Sequence, residues 1–247
     1  MVIEVDQSMN LLSVIIPTYN SKETIERCLK SLIFQTYQNF EICIIDGGSS
    51  DKTIDKVINF RSHFKNIRII SESDKGTYDA MNKGIDIAQG DWVYFLGSDD
   101  EVYDENVFSD IFRADLEKNF GILYGNVHIN GDTSWAKDGQ LYDGEFLIQK
   151  LLTRNICHQA IFYRRKLFNK LGKYNLRYPI CADWELNLRF FPKTKSKYLD
   201  RTIATFHGGG ISSQPIIDPI GEDWNILRKK ALIEYNLHRF IPHLRFI

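Results

Sequence analysis

The stretch "FEICIIDGGSSDKTIDKVI", Phe40 to Ile58, holds one complete folding unit. Its opening run, "FEICII", is β-prone; "DGGSSDKT" breaks the run, and Ile54, Val57 and Ile58 then recur at helical spacing. The same order, strand then polar loop then helix, stands on both sides. Upstream, "LSVII" (Leu12 to Ile16) is stopped by Pro17, and Asn20 with Glu23 reads as a capping pair for a helix whose apolar face is Ile25, Leu29, Leu32 and Ile33. Downstream, "IRII" ends at "SESDKGTYD", and the next helix carries Tyr78, Met81, Ile85 and Ala88 on one side. A fourth apolar run, "WVYFL", delivers the chain to Ser98, Asp99 and Asp100. Three such units closed by a fourth strand predict an α/β fold with a doubly wound, mainly parallel sheet.

That topology has a consequence for function, because ligands bind such sheets outside the carboxyl ends of the strands. Thr18 and Asn20, then Asp46, then Glu72 and Asp74, then Asp99 and Asp100 each follow a strand, so four polar clusters are expected to converge. Beyond Glu101 the alternation breaks down. "GILYGNVHING" reads as strand and turn, "EFLIQKLL" as a short helix, "ICHQAIFYRR" as a strand, "ADWELNLRFF" as a helix bearing Trp184, Leu188 and Phe191, and "TIATFHGGGIS" as a last strand running into a glycine-rich loop. No linker, repeat or low-complexity tract divides the 247 residues, which predicts one domain.

Composition narrows the partners. A net charge of -1 gives no basic field for nucleic acid. Cys28, Cys43, Cys157 and Cys181 form no C-x-x-C pair, so neither a zinc knuckle nor a redox motif is spelled, and reduced cytoplasmic thiols are expected. The acidic N-terminus reads as no signal peptide, and no apolar run reaches the ~18 residues that span a bilayer.

The first strand is followed by "PTYNSK", without the glycine spacing of a dinucleotide fold or a P-loop. The converging edge is acidic instead, and an acidic cleft accepts phosphate through a divalent cation. Asp99 and Asp100 therefore read as ligands of Mg2+ or Mn2+, with the cation holding a diphosphate. The alternative is a helix cap, but Asp104 in "DENVFSDIF" is better placed for that.

These blocks resemble the family 2 glycosyltransferases, inverting nucleotide-sugar-dependent enzymes of the GT-A fold. The resemblance covers residues 11–213 through "SVIIPTYN", "IIDGGSSDKT", "ESDKGTYDAMNKGIDIAQGDWVYFLGSDD" and "ADWEL", and lies nearest to bacterial exopolysaccharide, capsule and O-antigen transferases. It implies a Rossmann-like, mainly parallel sheet with a mixed C-terminal half completing the site. Residues 1–220 would form the transferase domain, with a nucleotide-binding half at 11–101 and an acceptor half at 102–213, followed by a basic amphipathic helix and tail at 221–247. By the same resemblance Thr18 and Asp46 contact the base, Glu72 and Asp74 lie near base and ribose, and Pro17, Tyr19, Asn20, Ser98 and Asp99 complete the nucleotide set. Asp100 is the direct metal ligand beside Asp99, in an S-D-D variant of the D-x-D motif. Asp183 is the catalytic base, with Glu185 a second candidate. Asp79, Asn82, Lys83 and Glu185 fall on the donor-sugar side, and His158 and Trp184 on the acceptor side.

The chemistry asks for such an arrangement. Displacing a nucleoside diphosphate from an anomeric carbon leaves charge that a metal stabilises, while a carboxylate across the sugar takes the acceptor's proton. Asp183 fits that place or simply caps "WELNLRFF". His207, ahead of three glycines, is a candidate for the cation or diphosphate, or a packed histidine; His158 is an acceptor-side residue or a core-edge histidine bonded to backbone. "LRKKALIEYNLHRFIPHLRFI" sets Arg228, Lys229, Lys230, Arg239 and Arg245 against Glu234. This is either a helix lying on an anionic membrane, where a lipid-linked acceptor is found, or a helix packed on the core with a solvated basic face.

The expected activity is that of a hexosyltransferase moving sugar from a nucleotide-diphosphate sugar to a saccharide or lipid-linked acceptor in bacterial surface polysaccharide synthesis. UDP comes first by resemblance, with GDP and dTDP open. The expected location is the cytoplasm or the inner face of the plasma membrane. A sugar nucleotidyltransferase is the rival enzyme, but it calls for a glycine-rich loop with Arg and Lys after the first strand. A non-catalytic nucleotide-sugar binder is opposed by the joint presence of Asp183, Asp99 and Asp100.

Overall fold

A computed structural model describes residues 11–112, 120–209 and 218–240. The first half follows the expected alternation: β1 (Leu12–Thr18), α1 (Ile25–Ile33), β2 (Phe40–Asp46), α2 (Thr53–Phe60), β3 (Ile67–Ser71), α3 (Thr77–Ile87) and β4 (Trp92–Phe95). These four strands pair in parallel in the order β3-β2-β1-β4. Every residue of β1, β2 and β4 is buried, as a sheet covered on both faces requires. Pleating sends alternate residues to opposite layers. Val14 and Ile16 pack with Ile25, Leu29 and Leu32 of α1, whereas Ile15 packs with Tyr78, Met81 and Ile85 of α3. Gly84 lets α3 press onto β1, since a Cβ there would overlap Ile15 Cγ2.

The second half adds β5 (Glu101–Val102), α4 (Val107–Ile111), β6 (Ile122–Asn130), β7 (Leu141–Tyr142), α5 (Ile148–Leu151), β8 (Ile161–Arg164), α6 (Lys166–Leu171), α7 (Ala182–Phe190), β9 (Ser196–His207) and α8 (Ile220–Phe240). β8 runs antiparallel between β4 and β6; β9 follows parallel to β6, β5 closes the edge, and β7 pairs with β6 off that path. The sheet is thus parallel where nucleotide-type units build it and mixed beyond. α8 docks on α7 through the Trp184–Trp224 ring contact at 4.5 Å and on the segment before α7 through the Tyr178 hydroxyl, which donates to Asp223 at 2.7 Å.

Four local expectations are corrected. β1 runs on through Pro17 to Thr18: the Ile15 carbonyl accepts from Leu96, so the missing N–H of Pro17 faces the same side, beyond the last β1–β4 pair, Ile15–Phe95. Asn20 caps no helix; its backbone is left-handed at φ 48°, and its Oδ1 accepts from the Ser50 N–H at 3.0 Å, stitching the loops after β1 and β2 together. Ile58 is exposed, because α2 turns Thr53 and Val57 inward, with Phe60 partly buried against the same core. Asp104 accepts from the Asn106 N–H and pairs with Arg201, three residues ahead of α4. Among the described residues no helix is long and apolar enough to cross a membrane. The N-terminal decapeptide, residues 210–213 of the glycine-rich loop and Arg245 lie outside the described residues.

Candidate active site

The loops after β1, β2, β3 and β4 open onto one cavity of about 1050 Å³, walled on its other side by residues 153–159, the start of α7 and Phe206 near the end of β9. Pro17, Thr18, Tyr19, Asn20, Asp74 and Ser98 line the end made by the parallel strands. Thr18 Oγ1 is buried there without a hydrogen-bond partner, a polar atom left for a ligand to satisfy.

Several other candidates serve the frame of this end. Asp46 is fully buried; its carboxylate accepts from the Gly48 and Ser49 N–H groups at 3.2 and 3.0 Å, from Ser71 Oγ at 2.6 Å and from Ser49 Oγ at 2.5 Å. It shapes the loop that brings Gly47 to the cavity, against Asp74, rather than lining the cavity itself. Glu72 and Lys83 pair at 2.8 Å outside the lining, and the hydrogen bond to Glu72 raises the lysine's pKa. Asp79 accepts from the Lys75 N–H at 3.0 Å and closes the first turn of α3. Asn82 spends both ends of its amide on the backbone of Tyr174 at 2.9 Å. Glu185, buried, is clasped by Arg189 at 2.8 and 2.9 Å. Asn82 thus ties α3 to the segment ahead of α7, Glu185 is held within α7, and neither lines the cavity.

The S-D-D motif occupies the loop after β4. Asp100 is 1% exposed; Oδ1 accepts from the His207 backbone N–H at 2.8 Å and Oδ2 from Gln159 Nε2 at 2.6 Å. Burial, and then the charge of Asp99, push its carboxyl up to about 7, against the opposing pull of those two donors. Arg27 of α1 secures the loop from outside, donating to the Asp99 carbonyl at 2.6 Å and pairing with Glu101 at 3.1 Å. The ring of His207 also turns to Glu101, 2.8 Å from Nε2. Its backbone N–H meanwhile serves Asp100, so the residue is tied to both carboxylates behind Asp99.

Gly97 tests whether a cation fits. A Cβ built there would meet Asp100 Oδ2 at 2.5 Å and Asp99 Oδ1 at 2.8 Å, so the two carboxylates overhang one small cradle that only glycine leaves open. Among the described residues no group of three His, Cys, Asp or Glu side chains converges for a metal. Two hard oxygen donors with the remaining positions open suit Mg2+ or Mn2+, which take a carboxylate or two and fill the rest with phosphate oxygens and water.

Asp183 stands in the first turn of α7, where the helix dipole favours a carboxylate. Its Oδ1 accepts from the Trp184 N–H at 2.8 Å, and its Oδ2 lies 3.6 Å from His158 Nδ1. Tyr78 lies close by; its phenol donates to the Ile180 carbonyl at 2.7 Å, and burial followed by the Asp183 charge keeps its pKa raised. His158 thus sits beside a carboxylate rather than being satisfied by backbone. Trp184 lines the cavity with its indole N–H donated to the Leu151 carbonyl at 2.8 Å.

Sequence reading missed Gln159, the aromatic wall of Trp135, Tyr142 and Phe206, and Arg154, the one Lys or Arg among the described lining residues. Trp135 contacts Tyr142 and Phe206 with ring centroids 5.0 and 5.2 Å apart. Arg154 pairs with Asp143 at 2.9 Å. Gln159 and Phe206 had a signal, their places beside His158 and His207; the others come from segments with no motif.

Comparisons with known proteins give a family by sequence and a shared fold by structure. Residues 13–172 match the family described as "Glycosyl transferase family 2". A PGL/p-HBAD biosynthesis glycosyltransferase of Mycobacterium bovis is 40% identical over 214 residues, 84% of this chain and 81% of the relative. The structure of S. aureus TarS 1-349 in complex with UDP-GlcNAc is similar with a TM-score of 0.71 and 21% identity, over 90% of this chain and 66% of that one. The mannosyltransferase PcManGT from Pyrobaculum calidifontis, in complex with GDP-Man and Mn2+, is similar with a TM-score of 0.61 and 14% identity, over 95% of this chain and 65% of that one.

Proposed function

The chain belongs to glycosyl transferase family 2, and we propose that it moves a sugar, with inversion, from a UDP-sugar to a hydroxyl of a saccharide or lipid-linked acceptor in surface-glycan synthesis. The observation that carries this reading is the meeting, in one cavity, of the Asp99–Asp100 cradle with Asp183 on a separate wall. The half at 11–101 would bind the nucleotide and the half at 102–213 the acceptor.

A divalent cation in the cradle, held by Asp99 and Asp100, would neutralise the charge that develops on the departing diphosphate. Asp183 does the chain's own chemistry: its carboxylate accepts the proton of the attacking hydroxyl through Oδ2, the oxygen not engaged by the helix. Tyr78, a neutral phenol whose hydroxyl is spent on the Ile180 carbonyl, adds no competing negative charge beside it. Thr18 Oγ1 and Asp74 receive the nucleotide. Trp135, Tyr142, Phe206 and Trp184 exclude water and offer flat faces to a sugar or an apolar aglycone. The naming of the mycobacterial relative for PGL/p-HBAD biosynthesis supports a biosynthetic transfer. The UDP-GlcNAc complex of the TarS neighbour makes UDP the first nucleotide to test.

α8 supports a peripheral membrane contact. Ile226, Ile233, Leu237 and Phe240 form an exposed apolar stripe, with exposed Lys229 and Lys230 flanking it. An apolar stripe edged by lysines is the pattern of a helix lying on anionic lipid at the inner face of the plasma membrane. In a coiled coil whose a positions were Ile226, Ile233 and Phe240, the d positions would be Lys229 and Asn236, which weakens self-pairing as the explanation.

The reaction is tested by nucleoside-diphosphate release across a panel of UDP-, GDP- and dTDP-sugars, with and without EDTA. Metal-dependent release from one donor class is expected. Release of pyrophosphate instead, or turnover unaffected by EDTA, would refute the reading.

A further inference from the structure

Of the two carboxylates that matter most, Asp100 is hydrogen-bonded by Gln159 and Asp183 is faced by the residue beside it in sequence, His158. Gln159 is 3% exposed, and its side-chain amide donates to Asp100 Oδ2 at 2.6 Å. Its carbonyl accepts from the buried Tyr94 hydroxyl of β4 at 2.9 Å, which bolts the residue to the strand that carries the S-D-D loop. His158 turns the other way, with Nδ1 3.6 Å from Asp183 Oδ2. Both belong to the single helical turn His158–Ala160, which runs directly into β8, a strand paired with β4 on one side and β6 on the other. One trans peptide unit, about 3.8 Å from Cα to Cα, therefore separates the supports of the two carboxylates.

Building on the glycosyl-transfer reading, we propose that His158 and Gln159 are positioning residues, a rigid strap that fixes the base Asp183 relative to Asp100. Gln159 governs donor binding through Asp100, and His158 governs proton transfer through Asp183. A buried carboxylate deprived of a donor turns away or takes a proton. Outer partners of metal-binding carboxylates change metal affinity by about 10- to 100-fold when removed. A base displaced by about 1 Å loses about 100-fold in rate. If the turn only supported the fold, both residues would affect every constant together. A strap predicts separate effects instead, because the hydrogen bond of Gln159 reaches Asp100 while the ring of His158 faces Asp183.

The test uses the full chain with Gln159→Leu, His158→Leu and His158→Asn, whose amide keeps an N–H group facing Asp183. UDP binding is measured by calorimetry in Mn2+ and in EDTA. UDP release is measured on whichever of UDP-glucose, UDP-galactose and UDP-GlcNAc the unmodified protein turns over fastest. Gln159→Leu is expected to weaken UDP binding in Mn2+ by about 10- to 100-fold while binding in EDTA stays unchanged. His158→Leu is expected to hold UDP binding within about twofold and to lower kcat by about 10- to 100-fold, with His158→Asn recovering most of the loss. Gln159→Met replaces leucine if that variant melts early. The strap is overturned if both residues move the same constant, if asparagine rescues no better than leucine, or if no constant moves. An unmodified protein that neither binds UDP nor releases it from any donor overturns the glycosyl-transfer reading, a distinct result.

Discussion

Asp100→Asn should make the protein more stable and inactive at once. The carboxylate is 1% exposed, shares its cradle with Asp99, and receives two hydrogen bonds, from His207 N–H and Gln159 Nε2. Its raised pKa shows that burial and repulsion outweigh those bonds. The asparagine keeps an oxygen for the His207 N–H, and a flipped Gln159 amide accepts from its NH2, so no buried polar group is orphaned. Removing an incompletely compensated buried charge is then worth about 1–3 kcal/mol. For a chain of this size that is a rise in Tm of about 2–10 °C.

The pH dependence of that rise follows from linkage. Between the unfolded carboxyl value and about 7, the folded protein binds the Asp100 proton more tightly than the unfolded chain, so stability falls as pH rises through this window. The asparagine has no such proton, and its advantage should be nearly absent at pH 4 and complete at pH 8. Melting by circular dichroism in EDTA at pH 5, 6, 7 and 8 reads the difference. Adding Mn2+ and UDP should reverse the order: ligand at 100 times its Kd returns about 2.7 kcal/mol to the unmodified protein and little to the variant. A variant no more stable at pH 8 in EDTA, or an advantage independent of pH, would refute the account of Asp100 as a strained, cation-awaiting charge.

Four further outcomes are expected. Asp183→Asn should reduce transfer by about 10²- to 10⁴-fold with UDP binding in Mn2+ unchanged, measured by UDP release and calorimetry. Thr18→Val, which replaces a partnerless buried hydroxyl, should leave Tm the same or slightly higher while weakening UDP binding by about 10-fold. Gly84→Ala drives a methyl into Ile15 and should cost about 1–3 kcal/mol by urea unfolding. Lys229→Glu with Lys230→Glu should abolish co-sedimentation with phosphatidylglycerol vesicles and leave donor hydrolysis in solution intact; equal sedimentation would remove the membrane contact.

The parallel half of the fold was legible because short continuous apolar runs alternate with stretches of helical period. "LSVII", "FEICII" and "WVYFL" are strands buried on both faces, and Tyr78, Met81 and Ile85 face the sheet where their spacing put them. The site was legible in part. Thr18, Asp74, Ser98, Asp99, Asp100 and Asp183 line one cavity, whereas Asp46 supports its loop and Glu185 is locked to Arg189. An Asp after a strand looks the same in sequence whether its oxygens face a ligand or its own loop.

What the chain by itself determined is whatever depends on neighbours a few residues away: strand and helix periods, the glycines that open turns, and carboxylates placed at the ends of strands. Tertiary structure alone decided which polar atoms are already satisfied. Asp100 meets its two donors across 59 and 107 residues of chain, and Asn82 meets Tyr174 across 92. A hydrogen bond needs its partner within about 3 Å, and no local pattern encodes where a segment that distant will come to lie.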